Sequence, residues 1–198
     1  MILRSAPASP FGRKVRIAAA ILGLDVTVVE ADTMNPTDSL RRENPLGKIP
    51  TLVLDDGATL FDSSVIVAYL DAVAGGDRLI PVELAPRFAA LRLEALADGI
   101  SEAALLQVYE ARWRDPAKQD AAWVEHQAGK VSRGLAALEA APPEGRINAG
   151  HVAFACALGY LDLRFCGAWR EAHPPLVAWL DGFAAAVPAF ESSRFKPS

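Results

Sequence analysis

The chain has 198 residues, 52% hydrophobic and 22% charged, a balance that suits a globular fold with a real buried core and excludes a disordered or fibrous chain. Its formal charge of −4 divides evenly, with 7 basic and 9 acidic residues over 1–76 and 13 and 15 over 77–198, so the sequence lacks the basic patch of a nucleic-acid binder and the Lys/Arg-rich amphipathic stretch of a membrane-surface protein. No apolar run approaches the ~18 residues of a bilayer span and the start lacks an apolar leader, so the expectation is a cytoplasmic protein whose partners are small molecules and proteins.

Ile2–Arg4 reads as a short strand. Ser9-Pro10 then opens a helix through Leu22, with Ser as N-cap, Pro at the first helical position and Gly23 as the stop; Val15, Ala18, Ile21 and Leu22 form its apolar face. The β-branched run Val26–Val29 is a second strand, and the polar stretch 31–46 holds one short helix. Thr51–Leu54, the turn Asp55-Asp-Gly57 and Thr59–Phe61 make a hairpin, after which Asp62 caps a helix with Val65, Ile66, Tyr69 and Leu70 on its apolar face. Ala74-Gly-Gly-Asp77 and Leu79-Ile-Pro81 read as a linker. Beyond it, Pro86–Arg114, Pro116–Ala141, Ala149–Cys166 and Pro175–Val187 have helical spacing. The expected organisation is an α/β domain of order β-α-β-α-β-β-α over residues 1–77 and an all-α domain over residues 84–198. Cys156 and Cys166 fit neither a disulfide framework nor metal-ligand spacing and read as buried small hydrophobes.

Three loops carry candidate chemistry. Ser9-Pro-Phe11-Gly starts a helix whose unpaired N–H groups and partial positive charge can stabilise a thiolate, although on spacing alone Ser9 is an ordinary N-cap. In Lys48-Ile49-Pro50, a cis bond would turn Ile49 outward so that its N–H and C=O could pair with an extended peptide. Asp62-Ser63-Ser64 offers N–H donors and hydroxyls for a carboxylate and an aspartate for an ammonium. Alone, each is ordinary. Together they suit a γ-glutamyl tripeptide thiol.

The segments Ser9-Pro-Phe-Gly-Arg-Lys-Val-Arg16, Asn44-Pro-Leu-Gly-Lys-Ile-Pro50 and Phe61-Asp-Ser-Ser64 resemble the glutathione-site motifs of the cytosolic glutathione transferases, and Glu94–Ile100 and Ala155–Asp162 resemble their helical domain. The resemblance implies a thioredoxin-like N-terminal domain, an all-α C-terminal domain, a homodimer, glutathione as co-substrate without a metal, and a role in detoxification. It also implies residue roles. Ser9 would face the glutathione sulfur with Phe11 beside it, Lys48 would approach the glycine carboxylate, and Ile49 beside cis-Pro50 would pair with the cysteinyl backbone. Asp62 and Ser63 would hold the γ-glutamyl end, and Asp98 would reach the γ-glutamyl ammonium of a neighbouring subunit; the residue-level alternative is a helix kink at Asp98-Gly99. Tyr109, Arg112 and Trp113 are candidates for the lining of a site for a small hydrophobic electrophile, with ordinary packing as the alternative.

In one place the sequence departs from the family pattern. Asn148 and His151 stand where the family places a Ser/Thr-x-x-Asp capping box, and a charged His151 would oppose the helix dipole. His126 and His173 read as solvent-facing or loop-capping. Thiol–disulfide exchange fails because Ser9 and Gly12 occupy the positions of a Cys-x-x-Cys pair. Glutathione peroxidase or isomerase chemistry stays open, as does a non-catalytic ligand carrier or protein-interaction subunit.

Overall fold

The computed structural model describes residues 1–195. Strands β1 (Ile2–Ser5), β2 (Thr27–Glu30), β3 (Thr51–Val53) and β4 (Thr59–Leu60) alternate with helices α1 (Pro10–Leu22), α2 (Leu40–Glu43) and α3 (Ser63–Val73) in the expected order. The strands form one mixed sheet, β2-β1-β3-β4, with β1 parallel to β2 and antiparallel to β3, and β3 antiparallel to β4. Register decides where the loops go. Arg4 lies opposite Thr51, and Leu52 lies opposite Leu60, so the end of β1, the start of β3 and the end of β4 share one edge. The loops carrying Ser9, Pro50 and Asp62 therefore leave the sheet on the same side. β2 starts at Thr27 and not at Val26, and as an edge strand it leaves Val28 and Val29 exposed.

The supposed linker is pinned to the α/β part. Asp71 Oδ1 accepts from the N–H groups of Arg78 (3.1 Å) and Leu79 (2.6 Å), Arg78 donates to the carbonyls of Ile21 and Leu22, and Leu79 and Ile80 are buried. A long helix, α4 (Leu84–Trp113), follows and runs through Asp98-Gly99 without interruption, so the predicted kink does not end the helix. Residues 116–141 are not one helix. Pro116–Lys118 is a single 3-10 turn, and Asp120 caps α5 (Ala121–Ala140) by accepting from Ala122 N (2.9 Å) and Trp123 N (3.2 Å), a second cap that separates the two. Next come α6 (Ala149–Phe165), α7 (Trp169–Ala172), α8 (Pro174–Ala186) and α9 (Pro188–Ser192); α7 and α9 are too short to show a helical period in the sequence. Among the described residues, no helix is long and apolar enough to cross a membrane.

α6 is buried over most of its length, which places it at the centre of the helical part. A Cβ on Gly150 would lie 2.7 Å from the carbonyl oxygen of Ala90, so only glycine permits this approach of α6 to α4. Asn148 caps α6 as expected, accepting from Gly150 N and His151 N. His151 is buried against Trp179, and burial lowers its pKa; it stays neutral and does not oppose the dipole. One expectation needs correction. Cys156 is buried, but Cys166 is exposed, because it ends α6 in a left-handed conformation (φ 52°) that turns the chain outward. His173 sits at the cap between α7 and α8, as the loop-capping alternative had it, and its ring meets Glu139 at 2.6 Å, whereas His126 is exposed and stacks on Trp123.

Candidate active site

Ser9 has extended backbone geometry (φ −76°, ψ 122°) and caps α1, its Oγ accepting from Gly12 N at 3.1 Å. That bond uses an oxygen lone pair. The hydroxyl proton has no acceptor among the described residues, so Ser9 can cap the helix and still donate to a ligand sulfur. Gly12 is fixed by contact with the strand behind it, since a Cβ there would fall 1.8 Å from Ser5 Oγ. Phe11, one residue into the helix, is half-buried.

The Ile49–Pro50 bond is cis, the isomer on which the peptide-pairing expectation depended. Ile49 is half-buried and Lys48 exposed. Two buried residues hold this loop: Asn44 Nδ2 donates to Lys48 O (2.9 Å) and Thr51 Oγ1 (3.3 Å), and Thr51 Oγ1 donates to Lys48 O (3.0 Å). Sequence reasoning quoted Asn44 without giving it this task.

The Phe61–Asp62 bond is also cis. Asp62 Oδ1 accepts from Ser64 N (2.8 Å) and Ser64 Oγ (2.9 Å), and the buried Ser63 directs its hydroxyl to the same oxygen at 3.4 Å. Burial works to raise the Asp62 carboxyl. The bonds from Ser64, the charge of Lys14 and the Ser63 hydroxyl outweigh it and hold the carboxyl below the usual carboxylate range.

Lys14 was not singled out by sequence reasoning. It is 1% exposed, and its Nζ donates to Glu94 Oε1 (2.9 Å) and Asp98 Oδ2 (2.7 Å), joining α1 to α4. Burial alone would lower the ammonium, but Asp98 and Glu94 together push it above the ordinary lysine value. Asp98 is therefore bonded within its own chain. Burial, opposed by Lys14 and assisted by Glu94 and Asp62, pushes its carboxyl up to about 6. A clue lay in the sequence: Glu94 and Asp98 interrupt a stripe of small buried residues that includes Ala90, Ala97 and Ser101, where acids need a buried cation.

Arg13, next to Lys14 on α1, reaches the C-terminal end of the described chain. It donates to Phe190 O (2.5 Å) and Ser193 Oγ (3.2 Å), and its guanidinium lies 4.0 Å from the Phe190 ring centre, so α1 also holds α9. A cavity of about 200 Å³ opens beside it, lined by Ser9, Pro10, Arg13, Tyr160 and Arg194 among others. Tyr109, Arg112 and Trp113 are not in this lining. They stand at the end of α4, exposed at its surface, with the Tyr109 and Trp113 rings edge to face and the charge of Arg112 felt at the Tyr160 phenol. No group of three or more His, Cys, Asp or Glu among the described residues could hold a metal ion.

Comparison with known proteins finds the same pattern. Residues 3–78 match the glutathione S-transferase N-terminal domain and residues 121–182 its C-terminal domain. The GST-like protein YibF of Escherichia coli is 33% identical over 175 residues, covering 85% of this chain and 86% of its own. A glutathione transferase family member from Pseudomonas fluorescens Pf-5, solved with bound glutathione, is 38% identical and superposes with a TM-score of 0.92 over 99% of both chains. The same Pseudomonas target was also solved with bound S-(propanoic acid)-glutathione (TM-score 0.89, 38% identity, 100% of both chains). A glutathione S-transferase of Methylobacillus flagellatus, with glutathione bound, is 36% identical with a TM-score of 0.91 over 98% of both chains.

Proposed function

The chain belongs to the glutathione S-transferase family, and from that premise we propose that it conjugates the thiolate of glutathione to a small electrophile with an apolar body. One observation carries the reading: the Ser9 cap, cis-Pro50 and the Asp62 cap leave the same edge of the sheet, in the order a tripeptide thiol requires. Ser9 and the N-terminus of α1 stabilise the sulfur. Bringing a thiol from ~8.5 to near 7 takes roughly 2 kcal/mol, within reach of a helix N-terminus plus one hydrogen bond to a charged acceptor. Ile49 pairs with the cysteinyl backbone, the exposed Lys48 meets the glycine carboxylate, and Phe11 packs beside the sulfur. Asp62 receives the γ-glutamyl ammonium and the start of α3 its carboxylate, with Ser63 fixing the Asp62 carboxyl through its hydroxyl. Tyr109, Arg112 and Trp113 form the outer wall of the electrophile site.

The chain pairs as a homodimer, a reading supported by the exposed apolar side chains of α3 (Val65, Val73) and of the first half of α4 (Leu84, Phe88, Leu96). Asp98 then serves the γ-glutamyl ammonium across the interface while Lys14 steadies it. The test is calorimetry with glutathione, followed by turnover of 1-chloro-2,4-dinitrobenzene. We expect binding tighter than about 1 mM and product formation above the spontaneous rate. Binding without turnover over a panel of electrophiles would mark a ligand carrier, and no binding at millimolar concentration would overturn the reading.

A pH dependence follows from Asp98. With its carboxyl at about 6, it loses its charge as the pH falls below that value, whereas Asp62, held below the usual range, stays ionised. Affinity for S-methylglutathione, which has no thiol to titrate, weakens from pH 7 to 5 by about tenfold, one hydrogen bond to a charged group. Asp98→Asn should bind weakly at both pH values; a wild-type affinity independent of pH would remove Asp98 from the site.

A further inference from the structure

The cavity beside Ser9 has an unbalanced charge. Of its acids, Asp162 is fully engaged, Oδ1 by Trp169 Nε1 (2.9 Å) and Arg170 Nε (2.8 Å), and Oδ2 by Arg170 Nη2 (2.6 Å). Burial pushes the Cys156 thiol up to about 12, so it adds no negative charge. Arg13 is only 8% exposed and bonds a carbonyl and a hydroxyl, with no carboxylate partner among the described residues. Among the described residues Arg194 pairs only with Glu191, at 3.3 Å and in an exposed setting. Tyr160 is 3% exposed, and among the described residues its phenol oxygen makes no well-aligned hydrogen bond, although the Arg164 side chain lies close enough to favour its ionised form against the effect of burial. The Arg164 guanidinium lies 5.6 Å from the Tyr160 ring centre and adds positive charge beside the phenol. A buried hydroxyl without a partner is rare and costly, and cations in a low-dielectric wall attract an anion more strongly than in water.

We infer that this cavity receives the carboxylate of the electrophile, so that the preferred second substrate is a small aromatic or unsaturated acid whose reacting carbon lies at Ser9. The inference rests on the transferase reading and specifies its substrate class. About 200 Å³ is below the ~300–1,000 Å³ typical of drug-sized sites, which limits the acid to roughly one ring. Arg13, Tyr160 and Arg194 grip the carboxylate, and the apolar walls at Pro7, Pro10 and Leu163 hold the body.

The experiment compares 4-chloro-3-nitrobenzoate with its methyl ester. In both, the glutathione sulfur bonds to the ring carbon as chloride leaves with the bonding pair, and the thiol proton passes to solvent. Each enzymatic kcat/KM is divided by the spontaneous rate with glutathione at the same pH, which removes the difference in ring activation. The acid should be favoured by about tenfold or more, and Tyr160→Phe and Arg194→Gln should each lower that ratio, the double variant bringing it near one. Parity, an ester preference, or a ratio unmoved by both variants would overturn the inference. If neither compound turns over but glutathione binds, calorimetry with S-(2-carboxyethyl)glutathione against S-propylglutathione decides it, equal affinities counting against. If glutathione itself does not bind, the transferase reading fails and the inference fails with it.

Discussion

Lys14→Met should lower stability by about 3–5 kcal/mol, the usual cost of stripping one partner from a buried ion pair. Lys14 is 1% exposed and Glu94 3%, so the variant leaves a carboxylate in the interior with no cation and no water. For a chain of this size the loss corresponds to a fall in Tm of roughly 6–20 °C, readable by scanning calorimetry. The sign of the pH dependence is a second check. Without the ammonium, the folded Asp98 carboxyl lies still further above its unfolded value, so the deficit it causes is absent below the unfolded carboxylate range and grows as the pH rises through the folded value. The variant should therefore approach wild-type stability on acidification from pH 7 to 4. Adding Glu94→Leu should recover part of the deficit, since it removes the more deeply buried carboxylate and leaves only the partly exposed Asp98 without its cation. A loss below about 1 kcal/mol at pH 7 would mean that water reaches the cluster.

Ser9→Ala should lower kcat/KM by about 10- to 150-fold, the equivalent of the ~1.5–3 kcal/mol carried by a hydrogen bond to a charged acceptor. Activity does not vanish, because the N–H groups of α1 remain. The pKa of enzyme-bound glutathione should rise by about one pH unit, seen in the ultraviolet absorbance of the thiolate against pH. The same substitution removes the cap on Gly12 N and costs about 0.5–2 kcal/mol of stability. Ser9→Asn separates the two roles: asparagine caps well but places an amide where the hydroxyl stood, so it keeps the stability and not the rate. Unchanged turnover and thiol pKa in Ser9→Ala would remove the side chain from sulfur activation.

How much of this was legible in the sequence depends on the range of the interaction. The caps at Ser9, Asp62 and Asn148 and the stop at Gly23 are local chemistry and lie where the residue types place them. The short helices α7 and α9 lack the length for a period, and the second cap at Asp120 was hidden in a polar run. At the site, the three loops could be named, yet the groups that hold them in place could not. Lys14 finds Glu94 and Asp98 some eighty residues away, and Arg13 finds Phe190 at a separation of 177, pairings that no window along the chain displays. Tyr160 sat inside a family-like segment, and only the packing of α6 reveals its phenol as unpartnered.

α1 presents consecutive cations in two directions, Lys14 to α4 and Arg13 to α9, and is capped by Ser9, the residue proposed to face the sulfur. The helix proposed to polarise the ligand is thus the one that fastens the two halves of the molecule. Linkage is reciprocal: any advantage in affinity that the docked helical half gives to glutathione must be returned as resistance of that docking to being pulled apart. Occupancy at one edge of a four-stranded sheet is then felt at α9.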